Sequence, residues 1–281
     1  MSERESKTMK KAKLYKLYED YLQNNPQKEY VRNLHFDEWG REESSYECID
    51  SAHIRDNQIL RDENLPKHLT TEQLYKLDEK YNHELKWKIL ESDVTEKQIE
   101  LFEQENDITL PKKFREFLLG YSFLQWRFAP KCAASGKFLR ITYNEERNAH
   151  RVLTEKEMAQ GSEANVLVDF YGICNPNGLQ HYTDEGWESS DLVESIGLIH
   201  LGVINREEWL FLDCETGEVQ SWRHDEIALE AESKEEFDEE SEMGYFWFKD
   251  FDSFLEWLFG MTVYDFARGL EEREEFYQSH H

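Results

Sequence analysis

Cysteine is scarce in this chain, and its four copies, Cys48, Cys132, Cys174 and Cys214, stand far apart. No two of them have the C-x-x-C spacing that zinc sites and redox-active pairs use. Scattered cysteines are more typical of buried thiols in a reducing compartment than of a disulfide framework. A chain of 281 residues can bury a sizeable core, so we expect folding without disulfides or a structural metal.

Long apolar runs are also missing. Residues 1–13 are polar and lack the apolar segment of a secretory signal peptide. No stretch of about 18 consecutive apolar residues occurs, which is the length that a transmembrane helix requires. We therefore expect a cytoplasmic protein.

Positive charge is under-represented, with 33 Lys and Arg against 60 Asp and Glu and a formal net charge of −27. A field of this sign repels the phosphates of nucleic acids and anionic membrane surfaces. It attracts basic proteins and accelerates their encounter. Because acidic surfaces also keep proteins soluble, charge alone favours neither a solubility role nor a basic partner.

Motifs for catalysis and metal binding are absent as well: there is no H-E-x-x-H, G-x-S-x-G, Walker or G-x-G-x-x-G sequence. His200 lies within an apolar strand, which favours a core or sheet-face histidine over a ligand. Cys214 and His224, ten residues apart on a predicted hairpin, could form a nucleophile and base, but a structural cysteine is favoured. Asp184 and Glu185 form a carboxylate pair of a kind expected by chance in so acidic a chain. We expect no catalytic residue, cofactor or metal.

The sequence has enough apolar residues for a folded core, since 39% of its residues are hydrophobic and 14% are aromatic. Residues 10–22 have an apolar helical face, and a second helix is predicted from about Thr70. Residues 1–90 therefore form a predicted helical N-terminal region of unknown role.

The segment from Val94 to Tyr121 predicts two amphipathic helices. Thr95 and Gln98 have the spacing of a capping box, and Asn106 and Asp107 fit a helix end. Pro111 suits the first position of the second helix. The predicted apolar stripe of that helix consists of Phe114, Phe117, Leu118 and Tyr121.

Strand patterns follow in segments 138–143, 166–171, 196–204, 209–214 and 219–222, the last two joined by a Gly-containing turn. Residues 225–242 hold ten acidic residues and one base, Lys234, and predict a solvated loop or frayed helix. Apolar residues from Phe251 to Phe259 predict another helix, and Thr262 is a candidate cap for a short last helix. Helices, then strands, then helices favour an α+β fold with an antiparallel or mixed sheet.

Three segments in this order resemble the SUKH superfamily: 110–118 (LPKKFREFL), 209–222 (WLFLDCETGEVQSW) and 251–258 (FDSFLEWL). The resemblance covers about residues 94–259. It implies a SUKH-like domain at 91–260, a sheet flanked by helices. The predicted helical region 1–90 lies outside the resemblance, and residues 261–281 are predicted to form a short C-terminal helix and tail.

The resemblance also implies a function without catalysis. Many bacterial members resemble immunity proteins, which bind and neutralise a cognate toxin that is often a nuclease, whereas eukaryotic and viral relatives are regulatory or scaffold proteins. We therefore expect a protein partner, first a basic toxin and alternatively a host protein bound through the N-terminal helices, and neither nucleic acid nor membrane. A hydrolase that uses Cys214 or a carboxylate pair is a third hypothesis.

Two segments supply candidate partner-binding residues. One follows the turn 175–178 and has aromatic and acidic character, and the other is the acidic run. An ordinary exposed loop for the first and a solvated linker for the second are the favoured interpretations. Some side chains of Tyr245–Phe248 are also expected to be exposed, because four successive residues cannot share one face. The candidates are Asp184, Glu185, Trp187, Glu235, Glu236, Asp238, Glu239 and Glu240.

Overall fold

The computed structural model describes residues 90–280, apart from 93, 123–124, 134–140, 145–148, 160, 162, 172–178, 180–181 and 183–190. It also describes residues 49–50, 68–69, 76 and 80. The predicted helix at 10–22 lies outside the described residues, as does most of the helix predicted from Thr70, of which Lys76 and Lys80 are helical.

Two short strand pairs and two helices come first. Strands β1 (Ile49–Asp50) and β2 (His68–Leu69) pair antiparallel. Strand β3 (Leu90–Glu91) pairs with β4 (Tyr121–Ser122) and thereby closes the segment that contains helices α1 (Glu96–Glu105) and α2 (Lys112–Leu118).

The capping box that starts α1 is confirmed. The Gln98 N–H donates to Thr95 Oγ1 (3.3 Å), and the Thr95 N–H donates to Gln98 Oε1 (2.9 Å). The helix ends at Asn106, as predicted. Pro111 is the N-cap of α2, so the helix begins one residue later than expected, which is within the usual uncertainty of helix ends. Including Tyr121 in the helical stripe was wrong, because α2 ends at Leu118 and Tyr121 pairs with Glu91.

The middle of the chain contains short strands and helices. They are β5 (Gln125–Phe128), β6 (Lys131–Ala133), β7 (Ile141–Asn144), β8 (Ala149–Val152), α3 (Glu155–Ala159), β9 (Glu163–Asn165), β10 (Val168–Tyr171) and α4 (Asp191–Ile196). Strands β7 and β8 form a hairpin. The predicted strands at 138–143 and 166–171 correspond to β7 and β10.

The C-terminal third alternates strands with helices. Its elements are β11 (Leu198–Ile204), β12 (Glu208–Asp213), β13 (Val219–Arg223), a 3-10 turn (His224–Glu226), α5 (Lys234–Glu240), β14 (Met243–Phe248), α6 (Phe251–Leu258), β15 (Tyr264–Asp265) and α7 (Phe266–His280). The predicted hairpin of β12 and β13 is confirmed. The last helix is longer than expected, and Asp265 rather than Thr262 caps it, since Asp265 Oδ1 accepts the Ala267 and Arg268 N–H groups.

A six-stranded antiparallel sheet organises the molecule, in the order β14-β13-β12-β11-β10-β5. A smaller mixed sheet has the order β15-β6-β9, with β15 parallel to β6. The expected α+β class is therefore confirmed.

The two faces of the large sheet are covered differently, because side chains alternate along each strand. The first face carries Leu210 and Leu212 of β12 and packs against α1, α2 and α6. Close ring contacts there join Phe170 to Phe254 (5.5 Å between centroids) and Phe248 to Trp257 (5.0 Å). The second face carries Phe211 and Trp222 and is covered by Leu192 of α4 and Phe237 of α5.

The outer edge of β14 is closed by one side chain. The Trp247 N–H donates to the Tyr264 hydroxyl (3.0 Å), which in turn donates to the Tyr245 carbonyl (3.3 Å). Residue 269 in α7 is glycine, and a Cβ there would lie 2.4 Å from the Tyr264 hydroxyl oxygen. Gly269 thus leaves the space that Tyr264 occupies.

Candidate interaction surface

Helix α5 forms within the acidic run because its first turn is well capped. Ser233 Oγ accepts the Glu236 N–H (3.2 Å), and the Glu236 carboxylate accepts the Glu232 N–H (2.9 Å). Carboxylates in the first turn also interact favourably with the helix dipole. The central part of the run is consequently a defined helix rather than a solvated loop.

One aromatic residue attaches α5 to the sheet. Phe237 is fully buried, and its ring lies 4.9 Å from Trp222 and 6.4 Å from Phe211. Burial of a Phe side chain contributes about 1.5–3 kcal/mol, which is enough to fix so short a helix. Of the two predicted alternatives, a solvated loop or a frayed helix, the helix is the one found, and its Phe237 is buried instead of solvated.

The single base of the run faces the protein. Lys234 Nζ contacts the carboxylate of Asp213, which is 2% exposed. Asp213 Oδ1 also accepts the N–H groups of Glu215 (2.8 Å) and Thr216 (3.1 Å) in the hairpin turn. Burial lowers the pKa of Lys234, and Asp238 one turn later partly opposes that effect. The only positive charge of residues 225–242 thus neutralises a buried carboxylate.

The outer side of α5 is consequently acidic throughout. The five predicted partner-binding residues on this helix all have exposed side chains, and Lys234, the one base of the helix, faces Asp213 instead. They are Glu235, Glu236, Asp238, Glu239 and Glu240.

Helix α7 extends this acidic surface. Its Phe276 ring lies 5.8 Å from Trp247, and the Gln220 side chain donates to the Tyr277 hydroxyl (3.0 Å). Gln220 and Trp222 are two residues apart on β13, so α7 and α5 lie on the same face of the sheet. We define the acidic face as the exposed carboxylates of both helices, which on α7 are Glu271, Glu272, Glu274 and Glu275. Of these, Glu272 pairs with Arg268.

The other predicted partner-binding segment follows the turn 175–178, and the structure describes little of it. The turn 175–178 and the candidates Asp184, Glu185 and Trp187 lie outside the described residues. Tyr182, which the sequence places in the same loop, is 4% exposed and packs edge-on against Phe114 (5.8 Å). It therefore belongs to the core and is not an interface residue.

The aromatic segment of β14 is exposed at one position. Tyr245 is 43% exposed, whereas the next three residues are buried. This agrees with the expectation that four successive aromatic residues cannot share one environment.

The hairpin separates Cys214 from His224. Cys214 follows the turn end of β12, whereas His224 follows Arg223, which pairs with Glu208 at the far end of the same strand. The pair is therefore roughly 16 Å apart along the strand, beyond hydrogen-bond reach. Burial raises the pKa of Cys214 to about 12, which leaves little thiolate at neutral pH. The two residues do not form a nucleophile and base.

His200 is a sheet-face residue, as predicted. It is 6% exposed, and its ring stacks on Trp209 (4.8 Å) and Phe211 (5.0 Å) while Nε2 lies 3.0 Å from the Gly202 carbonyl oxygen. Among the residues that the structure describes, no three His, Cys, Asp or Glu side chains are grouped so that they could hold a metal.

Sequence reasoning missed three buried carboxylates on the central hairpin: Glu208, Asp213 and Glu218. Glu218 is fully buried and accepts the Trp247 indole N–H and the Gln220 amide. Glu208 lies on the same face as Leu210 and Leu212, but β12 is apolar on both faces, so alternation alone did not mark this carboxylate as buried.

The fold defines a class, an α+β protein in which helices α5 and α7 expose clustered carboxylates on one face of the large sheet. In the described ranges no helix combines the length and apolar content needed to cross a membrane. Comparison of the chain with protein-family models, characterised proteins and solved structures finds no match.

Proposed function

We propose that this chain is a non-enzymatic intracellular protein that binds and occludes a basic protein through the acidic face. The partner we propose is a nuclease-type toxin, which makes the chain an immunity protein of the SUKH-like kind. One observation carries this proposal: Lys234 faces inward, so the outer side of α5 is left without a compensating positive charge.

The chemistry of the partner follows from that charge. An enzyme that grips nucleic-acid phosphates presents a basic cleft, and carboxylates on a rigid helix can occupy such a cleft in place of phosphates. Complementary charge raises the association rate constant to as much as about 10⁸–10⁹ M⁻¹s⁻¹ at low salt. Because Phe237 holds the helix on the sheet, little conformational entropy is lost when the partner binds.

The test neutralises the outer side of α5 without disturbing its attachment. The variant carries Glu→Gln at positions 235, 236, 239 and 240 and keeps Ser233, Lys234 and Phe237. Its matched control carries Glu→Gln at the exposed positions 105, 155, 207 and 256, which removes the same charge elsewhere. Each form is used as bait in a lysate of the source cells, and retained proteins are identified by mass spectrometry.

The expected partner is basic, is retained by the wild type and the control, and is lost with the α5 variant. At about 0.2–1 kcal/mol for each exposed charge, four neutralised carboxylates weaken binding by roughly fourfold to several hundredfold, mostly through slower association, and the difference shrinks in high salt. The wild type should also inhibit the nuclease activity of that partner at a 1:1 ratio. Equal retention by all three baits, or a partner without nuclease activity, contradicts the proposal; the latter favours a scaffold.

A further inference from the structure

Glu208 is a buried carboxylate that accepts a hydrogen bond from the edge strand β14. It is 8% exposed, and its Oε2 accepts the Tyr245 N–H (2.8 Å) and the Ser221 hydroxyl. No Lys, Arg or His of the described part of the chain forms an ion pair with it. Glu208 thus differs from Asp213, which is buried with a lysine.

The contact lies where the β13–β14 ladder is irregular. The register shifts between Gln220 and Trp222, and within this bulge the Phe246 N–H donates to Ser221 Oγ (2.9 Å). Two successive N–H groups of β14 are therefore bonded to side chains instead of to strand carbonyls. Residue 244 is glycine here, and a Cβ would lie 2.2 Å from Glu208 Oε2. The strand is shaped around the carboxylate.

Strand β14 carries helix α7 with it. Trp247 contacts Phe276, and Met243 contacts Arg273. Opening of β14 at the bulge would therefore release part of the α7 packing and would let water reach Glu208.

The charges around Glu208 do not compensate its burial. Burial raises its pKa to about 7, although the hydrogen bonds from the Ser221 hydroxyl and the Tyr245 N–H favour the anion and partly oppose that effect. Glu207 raises the pKa further. Arg223 opposes it, but that guanidinium bonds the Glu242 carboxylate (3.1 Å). Cys132 of β6 and Tyr264 of β15, the other titratable neighbours, have pKa values that burial raises, so they carry no charge near neutral pH.

We propose that the buried Glu208 carboxyl is a proton-dependent switch that holds β14 and α7 on the sheet when Glu208 is protonated and loosens them when the proton is lost. The closed state favours the neutral carboxyl because the group is buried there without a counterion, whereas the open state hydrates the anion. Opening therefore becomes easier as pH rises from about 4.5 to about 7 and changes little above that range.

Hydrogen exchange of the full chain tests this switch. Exchange is followed by mass spectrometry from pH 5 to pH 8.5 in peptides that cover β14 and α7, with rates corrected for the intrinsic effect of pH. We expect the opening constant of β14 to rise at least tenfold between pH 5 and pH 8.5, and at most about 75-fold for a pKa raised from 4.5 to about 7. Peptides of α1 should show no such rise.

Two variants separate the switch from general charge effects. Glu208→Gln keeps the acceptor oxygen but cannot ionise, so the rise should disappear. Glu207→Gln removes an exposed neighbouring charge and should keep it. A flat pH profile in the wild-type β14 overturns the proposal without any variant. A rise of equal size in Glu208→Gln, or in α1, overturns it too.

Discussion

The buried contact between Lys234 and Asp213 gives a quantitative test of how α5 is held. Replacing Lys234 by Met removes the ammonium and leaves the carboxylate in a site that is almost closed to water. Breaking a fully buried pair in this way costs about 3–5 kcal/mol. Here the lysine side chain is 32% exposed and Asp213 keeps two backbone N–H donors, so we expect about 2–3 kcal/mol.

The assay is urea unfolding followed by tryptophan fluorescence. With a slope of roughly 3 kcal/mol/M, Lys234→Met should lower the unfolding midpoint by roughly 0.7–1 M. Asp213→Asn keeps an acceptor for both turn N–H groups, and in that background the lysine substitution should cost less than about 1 kcal/mol. Lys113→Met is the control, because Lys113 and Asp252 form a half-exposed pair (2.6 Å) worth about 0–1 kcal/mol. Equal midpoints for Lys234→Met and Lys113→Met, or additive costs in the double variant, would refute the reasoning.

Three further outcomes are expected. Arg115→Met, which loses its bonds to Glu96 (2.8 Å) and Glu103 (2.6 Å), should destabilise the chain by about 1–2 kcal/mol in urea unfolding, and Arg115→Lys by less. Tyr264→Phe leaves the Trp247 N–H without its acceptor and should cost about 1–3 kcal/mol, with faster exchange of that amide; unchanged exchange would contradict the role. Because burial raises the pKa of Cys214 to about 12 from the usual 9.0, its alkylation at pH 8 should be roughly a thousandfold slower than that of a free thiol and should accelerate as pH rises, as resolved by peptide mass spectrometry.

Local signals in the sequence predicted local structure well. The Thr95 capping box is confirmed because both of its hydrogen bonds close within four residues. The β12–β13 hairpin is confirmed for a similar reason, since a short turn at Gly217 sets its register. Such features depend little on the rest of the fold.

The role of the acidic run could not be predicted in the same way. Within α5 only Phe237 is apolar, and one apolar residue in seven gives no periodic pattern. Its burial depends on Phe211 and Trp222, and the inward direction of Lys234 depends on Asp213. These partners come from a hairpin more than ten residues earlier, so composition indicated charge but not attachment.

Glu208 was hidden for a different reason. Strand β12 is apolar on both faces, so its alternation does not mark which side is buried more deeply. The carboxylate is tolerated because the bulge of β14 directs the Tyr245 N–H toward it, and a bulge two strands away has no signature within β12.

The hydroxyl of Tyr264 also limits how other chains can meet this molecule. An exposed edge strand can pair with a strand of another chain. Such pairing leads to peptide binding by strand addition or to aggregation. Here the Trp247 N–H and the Tyr245 carbonyl are already hydrogen-bonded to the Tyr264 hydroxyl. A strand of another chain would therefore have to displace the Tyr264 side chain, for which Gly269 leaves space. Strand addition is therefore blocked along that stretch of β14. A protein that binds there must be recognised by shape and charge instead of by main-chain hydrogen bonds.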